Sequence, residues 1–81
     1  MIVPVTFYSY FKDLTGTARI ELEVAPGTAL GELHQRLIDR FPRLNGMRKS
    51  TLIAVGVEYQ DATYMLKAGD EVSMFPPVQG G

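Results

Sequence analysis

The chemistry this sequence offers sits at its C-terminus, where FPPVQGG, Phe75 to Gly81, closes on two glycines. A carboxylate on Gly81 is an acyl group in waiting, a poor electrophile until one of its oxygens becomes a leaving group. Gly80 and Gly81 carry no Cβ, so a tight channel can admit the acyl carbon closely. Pro76 and Pro77 stiffen the base of the segment while the glycines free its tip. From Pro76 to Gly81 the fully extended chain reaches roughly 20 Å, enough to enter another protein's active site. The same ending also reads as a frayed terminus, because glycine loses more backbone entropy on ordering than any other residue. Physical chemistry alone leaves both readings open.

Side-chain chemistry is sparse by comparison. No nucleophile has an adjacent base, no pair of carboxylates is spaced for acid–base work, and no glycine-rich phosphate loop follows a strand. Cysteine is absent, which removes disulfides, thiolate catalysis and thiolate metal sites together. With a single histidine, His34, a metal would have to be held mostly by carboxylates, so no metal site is expected. His34, between Leu33 and Gln35, reads as a partly exposed helix residue, and Asp70 and Glu71, after Gly69, read as turn chemistry. Arg36, Arg40, Arg43, Arg48 and Lys49 form the only concentration of charge. They read as a solvated face or as a docking surface for an acidic partner, with Arg40 also favoured by the carbonyl end of a helix.

Length and composition bound what can position these groups. Eighty-one residues build one domain with one economical core. An apolar share of 46% with 21% charged residues is that of a folded globular chain rather than a disordered one. A net charge of −1 supplies no basic field, so nucleic acid is not an expected partner. No apolar run approaches the roughly 20 residues that span a bilayer. The start MIVPVTFYSY lacks the basic region of a secretory signal, so the expectation is a cytoplasmic protein without a membrane partner.

Period-two alternation places Val3, Val5 and Phe7 on one face of a first strand, with Thr6 and Tyr8 on the other. Pro4 suits only a strand start or an unpaired position. FKDLTG reads as a connection. ARIELEV is a second strand with Ile20, Leu22 and Val24 inward, antiparallel to the first. Thr28 stands where an N-cap hydroxyl is expected, and Leu30, Leu33, Leu37, Ile38 and Phe41 form the apolar stripe of a helix of about 13 residues ended by Pro42. RLNGMRKS reads as loop, and TLIAV as a third strand. Gly56-Val57 is a turn of the glycine-first type before a short fourth strand at Glu58 to Gln60. The last strand turns Val72 and Met74 one way and Glu71, Ser73 and Phe75 the other, until Pro76 and Pro77 end it. One helix on one face of a mixed sheet of about five strands buries every apolar stripe, which predicts an α+β fold of the ubiquitin-like β-grasp type. Residues 1–75 form that domain and residues 76–81 an extended tail.

GDEVSMFPPVQGG, Gly69 to Gly81, resembles the closing signature of the molybdopterin synthase small-subunit family, the ubiquitin-like sulfur carriers of molybdenum cofactor biosynthesis. DLTGT, APGTALGEL, LIAVGVEYQD and LKAGDEV resemble the same family in the same order, so the likeness covers most of the chain. The double glycine is common to all ubiquitin-like carriers; FPPVQGG on a chain of this length is more specific. One departure is Gly56-Val57, where the family usually has Asn-Gly, so another turn type is required there.

The resemblance implies that an E1-like activating enzyme adenylates Gly81 with ATP and magnesium. A sulfur donor protein then displaces AMP and leaves a thiocarboxylate on Gly81. No cofactor is bound by the chain itself. Pro77, Val78, Gln79 and Gly80 would carry that group into the large subunit of molybdopterin synthase, which supplies the catalytic and pterin-binding residues. The small subunit would be the sulfur-donating, non-catalytic part of a heterotetramer, two carriers serving each dithiolene. Tyr8, Phe75 and Pro76 are the candidate apolar contacts to the large subunit, although Tyr8 and Phe75 equally suit a role as cover for the open sheet face. Lack of cysteine is consistent with a carrier whose sulfur rides on the terminus. Three alternatives stand beside this reading: sulfur delivery for thiamine thiazole synthesis, a protein modifier conjugated through Gly81, and an interaction module with an idle tail.

Overall fold

In the computed structural model, residues 1–77 are described. Five strands form one mixed sheet: β1 (Ile2–Phe7), β2 (Arg19–Glu23), β3 (Leu52–Val55), β4 (Glu58–Tyr59) and β5 (Val72–Phe75), in the spatial order β2-β1-β5-β3-β4. β1 runs antiparallel to β2 and parallel to β5, and β3 pairs antiparallel with both β5 and β4. The fold is the α+β, ubiquitin-like grasp that the patterning predicts. Pro4 sits in a central strand without conflict, because pairing of β1 with β5 starts one residue later, at Val5 opposite Val72.

The main helix, α2 (Leu30–Arg40), presents Leu30, Leu33, Leu37 and Ile38 to Val3, Val5, Phe7, Leu22, Ile53, Val55, Val72 and Met74 in one buried cluster. Each such side chain contributes about 1.5–3 kcal/mol when fully removed from water. Ile20 is only half-buried beside this core. Phe41, just past the helix, packs its ring edge-to-face on Phe7 at 5.8 Å.

Three local expectations are corrected. The FKDLTG connection contains a short helix, α1 (Phe11–Thr15), anchored by the fully buried Phe11 and closed by Gly16 in the left-handed region at φ 78°, whose N–H donates to the Lys12 carbonyl. The loop after Pro42 is a 3-10 helix, Pro42–Met47, that buries Leu44. Thr28 is not the cap of α2; its hydroxyl donates to the Ala25 carbonyl at 2.7 Å, and Ala29 takes the N-cap position. The free amides of Leu30 and Gly31 instead donate to the carbonyls of Tyr64 (2.8 Å) and Ala62 (3.0 Å). Orphan donors at a helix start need acceptors, and here a distant loop supplies them.

At the β3–β4 hairpin Gly56 adopts φ 62° while Val57 stays outside the left-handed region, as the glycine-first turn requires. The turn before β5 is held by Asp70, which accepts from the Tyr64 hydroxyl at 2.8 Å and the Lys67 amide at 3.0 Å. Burial pushes the Asp70 carboxyl upward, but these bonds and the Lys67 ammonium outweigh it and hold it below its ordinary value.

Candidate functional site

β5 lies in the middle of the sheet, paired with β1 on one side and β3 on the other. Phe75, its last residue, stands opposite Leu52 of β3, and Tyr8 follows β1 with its N–H donating to the Met74 carbonyl at 3.1 Å. Alternation turns Met74 inward against α2 and Phe75 outward. Tyr8 lies on the same outward face. Its ring stacks on Phe75 with centroids 4.7 Å apart and planes 8° from parallel. Tyr59, from β4, meets the same Phe75 ring edge-on at 6.2 Å and 79°. Three aromatic rings, from the residue after β1, from β4 and from the end of β5, thus form one cluster where β5 ends.

This cluster is accessible. Tyr8 is 43% exposed and Tyr59 66% exposed, while Phe75, Pro76 and Pro77 are half-buried. Register places Thr6, Ala54 and Ser73, all uncharged, beside it on the outward face, with Thr6 and Ala54 both opposite Ser73. Accessible aromatic rings among uncharged neighbours are the composition of a protein–protein contact surface. Pro76 and Pro77 carry no N–H to continue the ladder, so pairing ends at Phe75. Ser9 is the only non-glycine residue in the left-handed region among the described residues, at φ 57°. That strained turn redirects the chain from β1 into α1 directly after Tyr8.

Of the residues singled out from sequence, the structure brings Tyr8, Phe75, Pro76 and Pro77 to one place. Val78, Gln79, Gly80 and Gly81 lie outside the described residues. Tyr59 was not anticipated; the available signal was a tyrosine beside Glu58 in a strand only two residues long, too short to display alternation.

A polar cleft of about 270 Å³ lies elsewhere, between the β3–β4 hairpin and the loop before β5, lined by Glu58, Gln60, Tyr64, Lys67, Asp70 and Glu71. Three of its polar groups are committed to one another: the Lys67 ammonium donates to the Tyr64 hydroxyl at 2.7 Å and pairs with Asp70 at 3.3 Å. Tyr64 and then Asp70 hold that ammonium above its ordinary pKa. The arrangement fixes a loop and offers no nucleophile with a free base. Among the described residues no group of three or more His, Asp or Glu side chains is placed to hold a metal ion, and no helix is long and apolar enough to cross a membrane.

The ThiS family model matches residues 5–81. A protein of Chlamydomonas reinhardtii named molybdopterin synthase sulfur carrier subunit is 30% identical over 84 residues, spanning all of both chains. Among solved structures, a putative molybdopterin converting factor subunit 1 of Pyrococcus furiosus superimposes with a TM-score of 0.87 at 27% identity, covering 96% of this chain and 99% of that one. A chain in the complex of subunits 1 and 2 of the molybdopterin-converting factor of Helicobacter pylori gives a TM-score of 0.73 at 27% identity, with full coverage of both.

Proposed function

The chain belongs to the ThiS family, and from that premise we propose that it is the sulfur carrier subunit of a molybdopterin synthase, working in the cytoplasm through a thiocarboxylate on Gly81. The observation that carries the reading is the stacked Tyr8–Phe75 pair, with Tyr59 against it, at the root of a tail that ends in two glycines. A rigid aromatic platform and a thin, Cβ-free tip divide the labour. The platform docks, and the tip delivers.

In this reading an activating enzyme binds the domain and its ATP, with magnesium, converts the Gly81 carboxylate to an acyl adenylate with release of pyrophosphate. The adenylate makes AMP the leaving group that a free carboxylate lacks. Sulfide-level sulfur from the donor attacks the Gly81 acyl carbon, and the bond to the phosphate oxygen breaks with AMP leaving, which gives the thiocarboxylate without a redox step. The charged carrier then docks through Tyr8, Tyr59, Phe75 and Pro76 on the large synthase subunit, which holds the pterin precursor. Pro77 to Gly80 thread the thiocarboxylate into that subunit's active site. The relative from Helicobacter pylori, solved with subunit 2 of its converting factor, supports a partner of that kind. A dithiolene needs two sulfurs, so two carriers act per product, in keeping with a heterotetramer.

The test is the intact mass of the protein before and after incubation with ATP, magnesium, a sulfur source and the activating enzyme. Replacement of one oxygen by sulfur, localised to Gly81, is the expected result. The charged protein is then offered a large synthase subunit with pterin precursor, a thiazole synthase, or lysine-bearing acceptor proteins. Dithiolene formation supports the reading; sulfur passing only to thiazole, or an isopeptide on lysine, overturns it.

A further inference from the structure

The cations of the helical layer have no part in the reading above. Between Leu30 and Lys49 stand Arg36, Arg40, Arg43, Arg48 and Lys49 against two carboxylates, Glu32 and Asp39. The rest of the chain carries three cations and seven carboxylates. The cations are thus concentrated in one stretch of the chain, although the overall charge is −1. That stretch is the layer of α2 and the 3-10 helix. The aromatic cluster lies on the other face of the sheet.

Three of these cations, Arg40, Arg43 and Arg48, are held without being neutralised. Among the described residues the one ion pair is Lys67 with Asp70, outside this layer. Arg40 stands over the Phe41 ring at 5.4 Å, Arg43 donates to the Asp13 carbonyl at 3.2 Å, and Arg48 donates to the Gln35 side-chain oxygen. Asp39 accepts from Gln35 rather than from an arginine. A cation positioned by neutral acceptors and rings keeps its charge for an incoming carboxylate, and its rotamers are already partly ordered. At one end of the layer a cavity of about 180 Å³ opens between α2 and β3, lined by Leu30, His34, Arg48, Thr51, Ile53 and Asp61 among others. The His34 Nε2 there is buried with no hydrogen-bond partner. An apolar floor of Leu30 and Ile53 under an arginine at the rim suits a side chain inserted from an acidic segment.

We propose that the layer of α2 and the 3-10 helix is a second docking face, which takes an acidic segment of a protein partner through Arg36, Arg40, Arg43, Arg48 and Lys49. Nucleic acid fits less well, since the seven carboxylates elsewhere repel a long polyanion and no exposed aromatic ring is interleaved with these cations. Because this face and the aromatic cluster lie on opposite faces of the sheet, one partner can hold the domain while another engages the tail root. The inference concerns binding alone and stands apart from the sulfur chemistry.

The probe is a short poly-glutamate peptide, titrated into the isotope-labelled full chain while backbone amide resonances are followed. Shifts confined to α2, the 3-10 helix and Arg48–Lys49 are expected. They should vanish in about 1 M salt, where charges are screened over about 3 Å. The triple variant Arg36→Glu, Arg40→Glu, Arg43→Glu should bind at least about tenfold more weakly. Arg36→Gln with Lys49→Gln, two exposed positions, gives a smaller weakening and guards against misfolding of the triple variant. Absence of binding, shifts centred on Tyr8 and Phe75, unchanged affinity in both variants, a duplex RNA of equal charge binding more tightly, or a salt-sensitive dimer of the chain alone would each overturn the proposal.

Discussion

The Tyr8 ring lies on the Phe75 ring, 4.7 Å between centroids and 8° from parallel, so the residue just past β1 clamps the last residue of the parallel strand β5. The clamp joins the two chain segments that frame the tail root. An aromatic pair of this kind is worth about 0.5–1.5 kcal/mol beyond its buried area. Tyr8→Ala should therefore cost stability of about 1 kcal/mol by denaturant titration, a loss this fold survives. Its effect on docking should be larger, about 2 kcal/mol or roughly 30-fold in affinity for the large synthase subunit by calorimetry. Tyr8→Ala and Phe75→Ala combined should lose less affinity than the two losses added, because each removes the same stack. Wild-type affinity in both single variants would mean that the rings only cover the sheet.

Gly31→Ala tests how α2 is seated on the loop that caps it. A Cβ there would stand 2.9 Å from the Ala62 Cβ and 3.3 Å from the Ala62 carbonyl oxygen. Neither neighbour is the end of a flexible side chain. The helix gains about 1 kcal/mol of propensity from alanine over glycine, while overpacking of this kind costs about 1–3 kcal/mol and also stretches the capping bond from Gly31 to Ala62. The net should be a destabilisation of about 1 kcal/mol, read as a lower denaturant midpoint at unchanged m-value.

The elements with a long period were legible in the sequence, and the ones without it were not. α2 repeats its apolar residues every three or four positions, and β1 and β2 alternate over five or six residues, which was enough to set the sheet and its buried face. α1 is five residues long, so Phe11 has no periodic companion to mark it as core. Leu44 is hidden likewise in a 3-10 helix between Pro42 and Met47. The cap of α2 comes from carbonyls of residues 62 and 64, a tertiary source that local capping rules at Thr28 do not see. At the candidate site, Tyr8 and Phe75 were legible by parity within their strands, whereas Tyr59 joins them only once β4 is placed beside β3.

Deletion of Gly81 separates fold from chemistry. Loss of one terminal glycine should move stability by less than about 0.5 kcal/mol, while the mass shift from oxygen to sulfur should disappear entirely. Thermal unfolding and intact mass on the same sample read both quantities. A shortened chain that still gains sulfur would remove Gly81 from the proposed role.

His34 supplies a pH test of the core beneath α2. Burial, and then the nearby Arg48 guanidinium, lower its pKa from the ordinary 6.5, and its buried Nε2 has no partner to accept a proton's hydrogen bond. Around it stand Arg48 as the cation, Asp61 as the carboxylate at the cavity rim, and the neutral Thr51 and Gln60. The unfolded chain therefore binds a proton at His34 more readily than the folded one. Stability rises with pH wherever the unfolded state holds more protons. The contribution of neutral His34 is thus fully present above the unfolded value of 6.5 and is lost as pH falls from there toward the lower folded value. His34→Gln should flatten this part of the stability profile while leaving the losses at lower pH, where carboxylates such as Asp70 titrate. Denaturant midpoints measured from neutral pH down through the histidine range, for both proteins side by side, give the difference directly; parallel curves would show that His34 reaches solvent or a partner when protonated.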